Sequence, residues 1–108
     1  MQFEVWLTDD AVIDLDEIYE YIFRHDSPGR AEHVLVEIEK AFGSLCEFPY
    51  RGSFPKELLE LGIREFREIF FKPYRIIYKV IEKKVYVFLI VDGRRDMQTL
   101  LQRRLLQA

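Results

Sequence analysis

The residues best suited to binding another molecule are four arginines in the C-terminal half of the chain. Arg67 and Arg75 lie in two successive runs rich in Ile, Phe and Tyr, and Arg94 and Arg95 follow a third run directly after Gly93. A guanidinium group can donate two parallel, charge-assisted hydrogen bonds to a phosphate or a carboxylate. If the runs pair as hairpins, the arginines converge on one rim of a sheet. We therefore predict that this rim binds a macromolecular target.

A second interpretation of the two strand arginines stays open. Arg67 and Arg75 could each pair with a nearby carboxylate such as Glu68 and serve only to solvate one face of the sheet. Arg94 and Arg95 are adjacent in a glycine turn, a position that favours a functional role. If Arg75 and Arg95 are rim residues, their substitution by alanine should abolish activity and leave thermal unfolding unchanged.

The sequence carries no strong motif for catalysis, metal binding or cofactor binding. It lacks a phosphate-binding glycine loop, an HExxH pair, a cluster of Cys and His and a nucleophile elbow. Its two histidines, His25 and His33, both fall in the acidic N-terminal half, and its single cysteine, Cys46, cannot form an internal disulfide. We therefore predict no metal and no cofactor, and we interpret Cys46 as a buried structural thiol.

The composition is typical of a small soluble domain. The 108 residues are 49% hydrophobic and 32% charged, which predicts one domain over residues 1–108. The net charge of −3 is unevenly spread, because residues 1–47 hold 12 acidic and 3 basic residues whereas residues 48–108 hold 7 and 13. The basic half favours an anionic or nucleic-acid-associated target, although attraction between the two halves would explain the same pattern. Without a membrane-spanning run or a signal segment, we expect a cytoplasmic protein.

The predicted elements follow from local patterns. Apolar residues recur every three or four positions in the helices and every second position in the strands. Thr8, Ser27 and Asp96 are suited to cap the starts of three helices. In the first helix, Asp14 is predicted to lie with other acidic residues, away from the apolar stripe. The elements are a strand at 2–8, a helical hairpin at 9–25 and 28–47, a three-stranded meander at 66–91 and a C-terminal helix at 96–106.

Together these elements predict an α+β fold of order β-α-α-β-β-β-α. Short links join the strands of the meander, so they should pair antiparallel. The N-terminal strand must join the same sheet, because a lone strand leaves its backbone groups without partners. We predict an antiparallel sheet with the helical hairpin packed on one face. The C-terminal helix could dock on its own sheet, contact a second subunit or stay loosely held.

Two segments within residues 66–96 resemble a known signature. The segments F-R-E-I-F-F-K-P-Y-R-I-I-Y-K-V and V-Y-V-F-L-I-V-D-G-R-R-D look like those of the ParE/RelE toxin superfamily, which includes the plasmid stabilisation proteins. Length and element order also match, so the resemblance spans essentially the whole chain. It implies a RelE/ParE-like fold and the toxin of a type II toxin–antitoxin system. It also implies a cognate antitoxin that holds the toxin in an inactive hetero-oligomer.

The resemblance leaves two branches open. In the ParE-like branch, implied by P-Y-R-I-I-Y and the C-terminal helix, the toxin inhibits DNA gyrase by binding. In the RelE-like branch it is a ribosome-dependent mRNA endoribonuclease, and Arg75 and Arg95 match basic residues of that branch. This chain has Phe70 in place of a basic residue, Leu101 in place of a tyrosine, and Asp92 in place of a histidine common in the superfamily. We therefore favour the ParE-like branch, with a non-toxic protein-binding domain of the same fold as a further alternative.

Overall fold

The predicted strands and helices follow one another in the predicted order, with one additional short helix, in a computed structural model that describes residues 2–106. The strands are β1 (Glu4–Leu7), β2 (Arg67–Phe71), β3 (Tyr74–Ile81) and β4 (Lys84–Asp92). The helices are α1 (Asp9–His25), α2 (Pro28–Gly43), α3 (Lys56–Leu59) and α4 (Met97–Leu101). A 3₁₀ turn at Ser44–Cys46 follows α2, and a π-helical turn at Gln102–Leu106 continues α4.

The predicted N-caps are confirmed. The Thr8 hydroxyl accepts a hydrogen bond from the Ala11 amide at the start of α1, and the Ser27 hydroxyl does the same for Arg30 at the start of α2. The Asp96 carboxylate accepts from the Thr99 amide at the start of α4. These side chains satisfy backbone donors that have no partner inside a helix. Among residues 2–106, no helix is both long and apolar enough to cross a membrane.

The sheet has the strand order β1-β4-β3-β2 and is mixed. Strands β2, β3 and β4 form the predicted antiparallel meander, and β1 joins the same sheet as predicted. The expectation of a fully antiparallel sheet is wrong, because β1 runs parallel to β4. A parallel pair needs a long connection between its strands, and the helical hairpin lies within that connection.

Apolar side chains pack on both faces of the sheet, which gives three layers. The helices α1 and α2 cover the inner face, as predicted, through residues such as Leu15, Val34, Ile38, Ile76, Tyr78 and Val87. The outer face is covered by α3 and by residues 97–106, called the C-terminal segment below. Residues of this outer layer include Leu58, Ile77, Leu89, Met97, Leu100 and Leu101.

The C-terminal segment therefore docks on its own sheet. Leu100 and Leu101 are 4% and 0% exposed, and burying a leucine side chain contributes about 1.5–3 kcal/mol each.

The position of Cys46 is less enclosed than predicted. Its thiol is free and its side chain is only partly buried.

Candidate functional site

Arg75 is buried in a network with two glutamates. Its Nε donates to Glu68 Oε1 at 2.7 Å, and its two terminal nitrogens donate to the two Glu57 oxygens at 2.9 and 2.8 Å. Glu57 comes from α3 and Glu68 from β2, so this network ties the short helix to the outer face of the sheet. Arg75 is only 9% exposed, and its guanidinium cannot reach a phosphate without breaking these bonds.

Hydrogen bonding and burial shift the pKa values of this network in different directions. The hydrogen bonds from Arg75 lower the pKa of Glu57 and, with Glu57 as the larger cause, raise the pKa of Arg75 itself. The pKa of Glu68 is raised instead, because the cost of burying its charge exceeds the benefit of the Arg75 bond. Arg75 thus stays protonated and serves as an internal counter-ion, as the second interpretation from sequence allowed.

Arg75 also supports the turn that carries the other two arginines. A Cβ atom added to Gly93 would lie 2.6 Å from Arg75 Cδ and 2.9 Å from Arg75 Cγ. The backbone of this turn therefore passes directly against the Arg75 side chain, and only glycine leaves enough space. Gly93 N also donates to Pro73 O at 2.8 Å. The position of Arg94 and Arg95 thus depends on a packed support.

Arg67 lies on the opposite face of the sheet from Arg75. Arg67 pairs with Tyr78 in the register of β2 and β3, whereas Arg75 pairs with Phe70, and positions three apart in a strand point to opposite faces. Arg67 Nη1 donates to Gly52 O at 2.9 Å and to Tyr50 O at 3.2 Å. The guanidinium lies 4.5 Å from the ring centre of Phe54 and 5.4 Å from that of Tyr50.

These contacts correct the prediction of one continuous rim. Arg67 fastens the loop before α3, and Arg75 fastens α3 itself and the glycine turn. The structure places Arg94 and Arg95 together at the end of β4, but the guanidinium groups of Arg67 and Arg75 bind other partners.

Arg94 and Arg95 differ in how much of their charge is available. Arg94 Nε donates to both oxygens of Asp92, at 2.9 and 3.2 Å, and this contact lowers the pKa of the Asp92 carboxyl. Arg95 uses its backbone N–H to bind Asp92 O, but its guanidinium has no hydrogen bond or ion pair within residues 2–106. Of the four predicted arginines, Arg95 thus has the guanidinium that is open to a partner.

A cleft of about 480 Å³ lies between α1 and the end of β4, with Arg94 and Arg95 in its lining. It exists because β1 ends at Leu7 and leads into α1, so β4 has no neighbouring strand on that side beyond Val87. Apolar and aromatic side chains line it, among them Ile18, Tyr21, Ile22, Tyr74 and Ile90. Burial, with a smaller effect of nearby Asp92, raises the pKa of the Tyr74 hydroxyl, which keeps its proton available for donation.

Asp14 and Arg104 hold one side of this cleft, and sequence reasoning missed both. Arg104 donates to the two Asp14 oxygens at 3.1 and 3.0 Å and to Phe88 O at 3.1 Å. Asp14 also accepts from the Ile90 amide at 3.0 Å. These contacts satisfy the free edge of β4 and connect the C-terminal segment to α1. Asp14 is 8% exposed, so its predicted place away from the buried stripe is wrong.

Neither histidine is among the lining residues of the cleft, although His25 contacts one of them. His25 stacks on Tyr21 with ring centres 4.3 Å apart and contacts the Tyr21 carbonyl, whereas His33 packs edge-on against Phe71. In the described part of the chain, no group of three His, Cys, Asp or Glu side chains is arranged to hold a metal ion. The cleft therefore offers guanidinium, carboxylate, hydroxyl and apolar surfaces, which suit binding.

Solved structures with a similar fold come from toxin–antitoxin systems. The structure described as the chromosomal ParDE TA system from P. aeruginosa has a TM-score of 0.70, 18% identity, and a match that covers 84% of this chain and 96% of that one. The RelBE2 toxin–antitoxin complex from Mycobacterium tuberculosis has a TM-score of 0.56, 20% identity, and coverage of 85% and 92%. These likenesses confirm the predicted ParE/RelE-like fold.

The sequence assigns the chain to one family within this superfamily. The family described as "ParE toxin of type II toxin-antitoxin system, parDE" matches residues 5–97. The chain therefore belongs to the ParE toxin family, within the superfamily that the strand segments predicted. No curated protein matches the chain.

Proposed function

We propose that this protein is the toxin of a type II toxin–antitoxin system and that it inhibits DNA gyrase by binding. The observation that carries the proposal is the ParE toxin family match over residues 5–97. The resemblance identified from the strand segments implies the same target. The proposed target-binding surface consists of Arg95, its neighbour Arg94, the adjacent cleft and the C-terminal segment. Arg67 and Arg75 act on the target only through the loops that they hold.

The side chains around this surface favour binding over RNA cleavage. Cleavage needs groups that take and give protons, and an arginine is a poor proton carrier at neutral pH. Leu101 occupies the position of the ribonuclease tyrosine and is 0% exposed. Asp92, in place of the common histidine, is engaged by Arg94, and Arg75 is enclosed by Glu57 and Glu68. This chain thus lacks the tyrosine and the histidine that could serve as acid–base groups, and its Arg75 is not accessible.

The proposal includes an antitoxin protein as the natural partner. The described relatives of similar fold are both toxin–antitoxin structures. This chain offers the edge strands β1 and β2 and amphipathic helices, features that can accept an added strand or helix. We propose that such a partner neutralises the toxin in a hetero-oligomer in the cytoplasm.

A supercoiling assay with purified gyrase tests the proposed activity. The protein should inhibit the introduction of supercoils in a dose-dependent manner, and addition of the antitoxin should restore them. Unchanged supercoiling at a large excess of protein would reject gyrase as the target. Mapping of mRNA ends after induction separates the ribonuclease branch, because cleavage at translated codons would favour it.

A further inference from the structure

A second, smaller pocket lies between Arg95 and the C-terminal segment. Its volume is about 160 Å³, and it is lined by Arg95, Asp96, Thr99, Leu100 and Arg103. The last four of these residues are spaced three or four positions apart, so they share one side of the segment. Leu100 is 4% exposed and docks on the sheet, which fixes the segment beneath the pocket. Two arginines therefore line the same small volume on a packed support.

The guanidinium groups of both arginines are open to a partner. Neither Arg95 nor Arg103 forms an ion pair or a side-chain hydrogen bond within residues 2–106. Their arginine neighbours differ, because Arg94 binds Asp92 and Arg104 binds Asp14. Arg95 and Arg103 are also both exposed, so a macromolecule can reach them.

The charge of the pocket is positive overall. Of the residues that line it, only Asp96 carries a carboxylate. This carboxylate accepts from the Thr99 hydroxyl at 2.9 Å and from the Thr99 amide at 3.3 Å. The two bonds lower the pKa of Asp96, which therefore stays ionised at neutral pH. Two guanidinium groups and one carboxylate leave a single unbalanced positive charge.

We propose that Arg95 and Arg103 together bind one phosphodiester group of a DNA backbone. The two non-bridging oxygens of that group accept hydrogen bonds from the two guanidinium groups, and its single negative charge balances the charge of the lining. The inference deepens the proposed function and rests on it for the choice of DNA, because gyrase acts on DNA. The toxin would then contact the DNA that gyrase holds as well as the enzyme.

The chemistry of the pocket favours a phosphodiester over other anions. One guanidinium group satisfies both oxygens of a carboxylate, so an acidic protein side chain would leave the second arginine unused. Free phosphate carries more negative charge than the lining balances. Its usual donors are backbone N–H groups, but those of Thr99 and Leu100 already bind Asp96. Exposed arginines without backbone donors are typical of contacts to a nucleic-acid backbone.

Binding of DNA to the full chain tests the site without gyrase. The probe is a short DNA duplex with hydroxyl ends, and the matched probe is the same duplex with uncharged methylphosphonate links. Titrations at low salt are followed by the amide NMR signals of Thr99 and residue 103. The charged duplex should bind saturably and more weakly as salt is added, since phosphate contacts release counterions. The uncharged duplex should give no saturable shift.

Four variants identify the contact. Arg95→Gln and Arg103→Gln should each weaken binding of the duplex about fivefold, which corresponds to the loss of one exposed ion pair. Asp96→Asn should tighten binding, because it removes the negative charge of the lining and asparagine caps a helix as well as aspartate does. Arg64→Gln, at an exposed arginine outside the pocket, should bind like the wild type.

Equal binding of the two duplexes, or duplex binding that Arg103→Gln leaves unchanged, would overturn the proposal. So would tighter, Arg103-dependent binding of inorganic phosphate, which would indicate a free-anion site, or of the dipeptide N-acetyl-Asp-Asp, which would indicate a protein partner. The gyrase assay is independent of these results. Duplex binding without gyrase inhibition would retain the site and reject only the target, whereas gyrase inhibition without duplex binding would reject only the contact with DNA.

Discussion

Replacement of Arg75 by alanine should destabilise the protein strongly. The substitution removes the only cation within hydrogen-bonding distance of Glu57 and Glu68 in the described structure and leaves two carboxylates facing each other. Both the desolvation of these charges and their mutual repulsion then go uncompensated. Their protonation at neutral pH would be the alternative response, and it costs free energy as well.

The magnitude follows from burial. The side chains of Arg75, Glu57 and Glu68 are 10%, 13% and 8% exposed, so water cannot replace the lost partner. Removal of one member of a buried ion pair costs about 3–5 kcal/mol. For a domain of this size, such a loss lowers Tm by at least roughly 12 °C. The expectation from sequence that Arg75→Ala leaves unfolding unchanged is therefore replaced by its opposite.

Equilibrium urea unfolding, followed by circular dichroism, measures this loss. Arg64→Ala serves as the control and should change the free energy of unfolding by less than about 0.5 kcal/mol, because Arg64 is exposed. A triple variant, Arg75→Met with Glu57→Leu and Glu68→Leu, should recover most of the loss, since no buried charge remains in the network. The reasoning fails if Arg75→Ala unfolds within about 0.5 kcal/mol of the wild type.

Three further predictions concern the cleft and its support. Asp14→Ala should cost about 1–3 kcal/mol by leaving the Ile90 amide unsatisfied, and faster hydrogen exchange in the C-terminal segment should accompany it. Equal exchange in Asp14→Ala and in Asp16→Ala, a control at an exposed aspartate of α1, would refute the role of Asp14 in holding that segment. The Asp92 carboxyl should titrate below the ordinary range of aspartate in an NMR pH series. Its stabilising contribution is complete above the pKa of an unfolded aspartate and is lost as the pH falls through the lower folded-state pKa; a normal pKa would contradict the ion pair. Leu101→Ala should lose about 2–5 kcal/mol in urea unfolding whereas Leu106→Ala, at a 41% exposed leucine, should lose far less, and equal losses would argue against the docked segment.

Local chemistry made most of the fold predictable. Thr8, Ser27 and Asp96 predict helix starts, because an N-cap depends on a side chain and a backbone amide only three residues away. The direction of β1 could not be predicted in this way. It depends on which edge of the meander is free after the chain has passed through two helices, and no short pattern records that.

The site was only partly predictable, for two physical reasons. The glycine turn after the third predicted strand indicated where Arg94 and Arg95 leave the sheet. The placement of Arg67 and Arg75 failed because a strand position shifted by one residue points to the opposite face. Asp14 and Arg104 are 90 residues apart in the chain, so nothing local marks them as partners. A usable signal was present at Asp14, which lies three residues from Ala11 and four from Ile18 and so shares the buried side of α1.

We propose that an open guanidinium at Arg95 binds the target, whereas Arg67 and Arg75 hold the structure. The most direct measurement is the concentration of protein that half-inhibits gyrase supercoiling. It is compared among the wild type, Arg95→Gln and Arg64→Gln, after thermal unfolding has shown that the three proteins have the same Tm. Arg95→Gln should need about tenfold more protein, in line with the loss of one well-placed arginine at an interface, and Arg64→Gln should match the wild type. Equal inhibition by all three proteins would contradict the account.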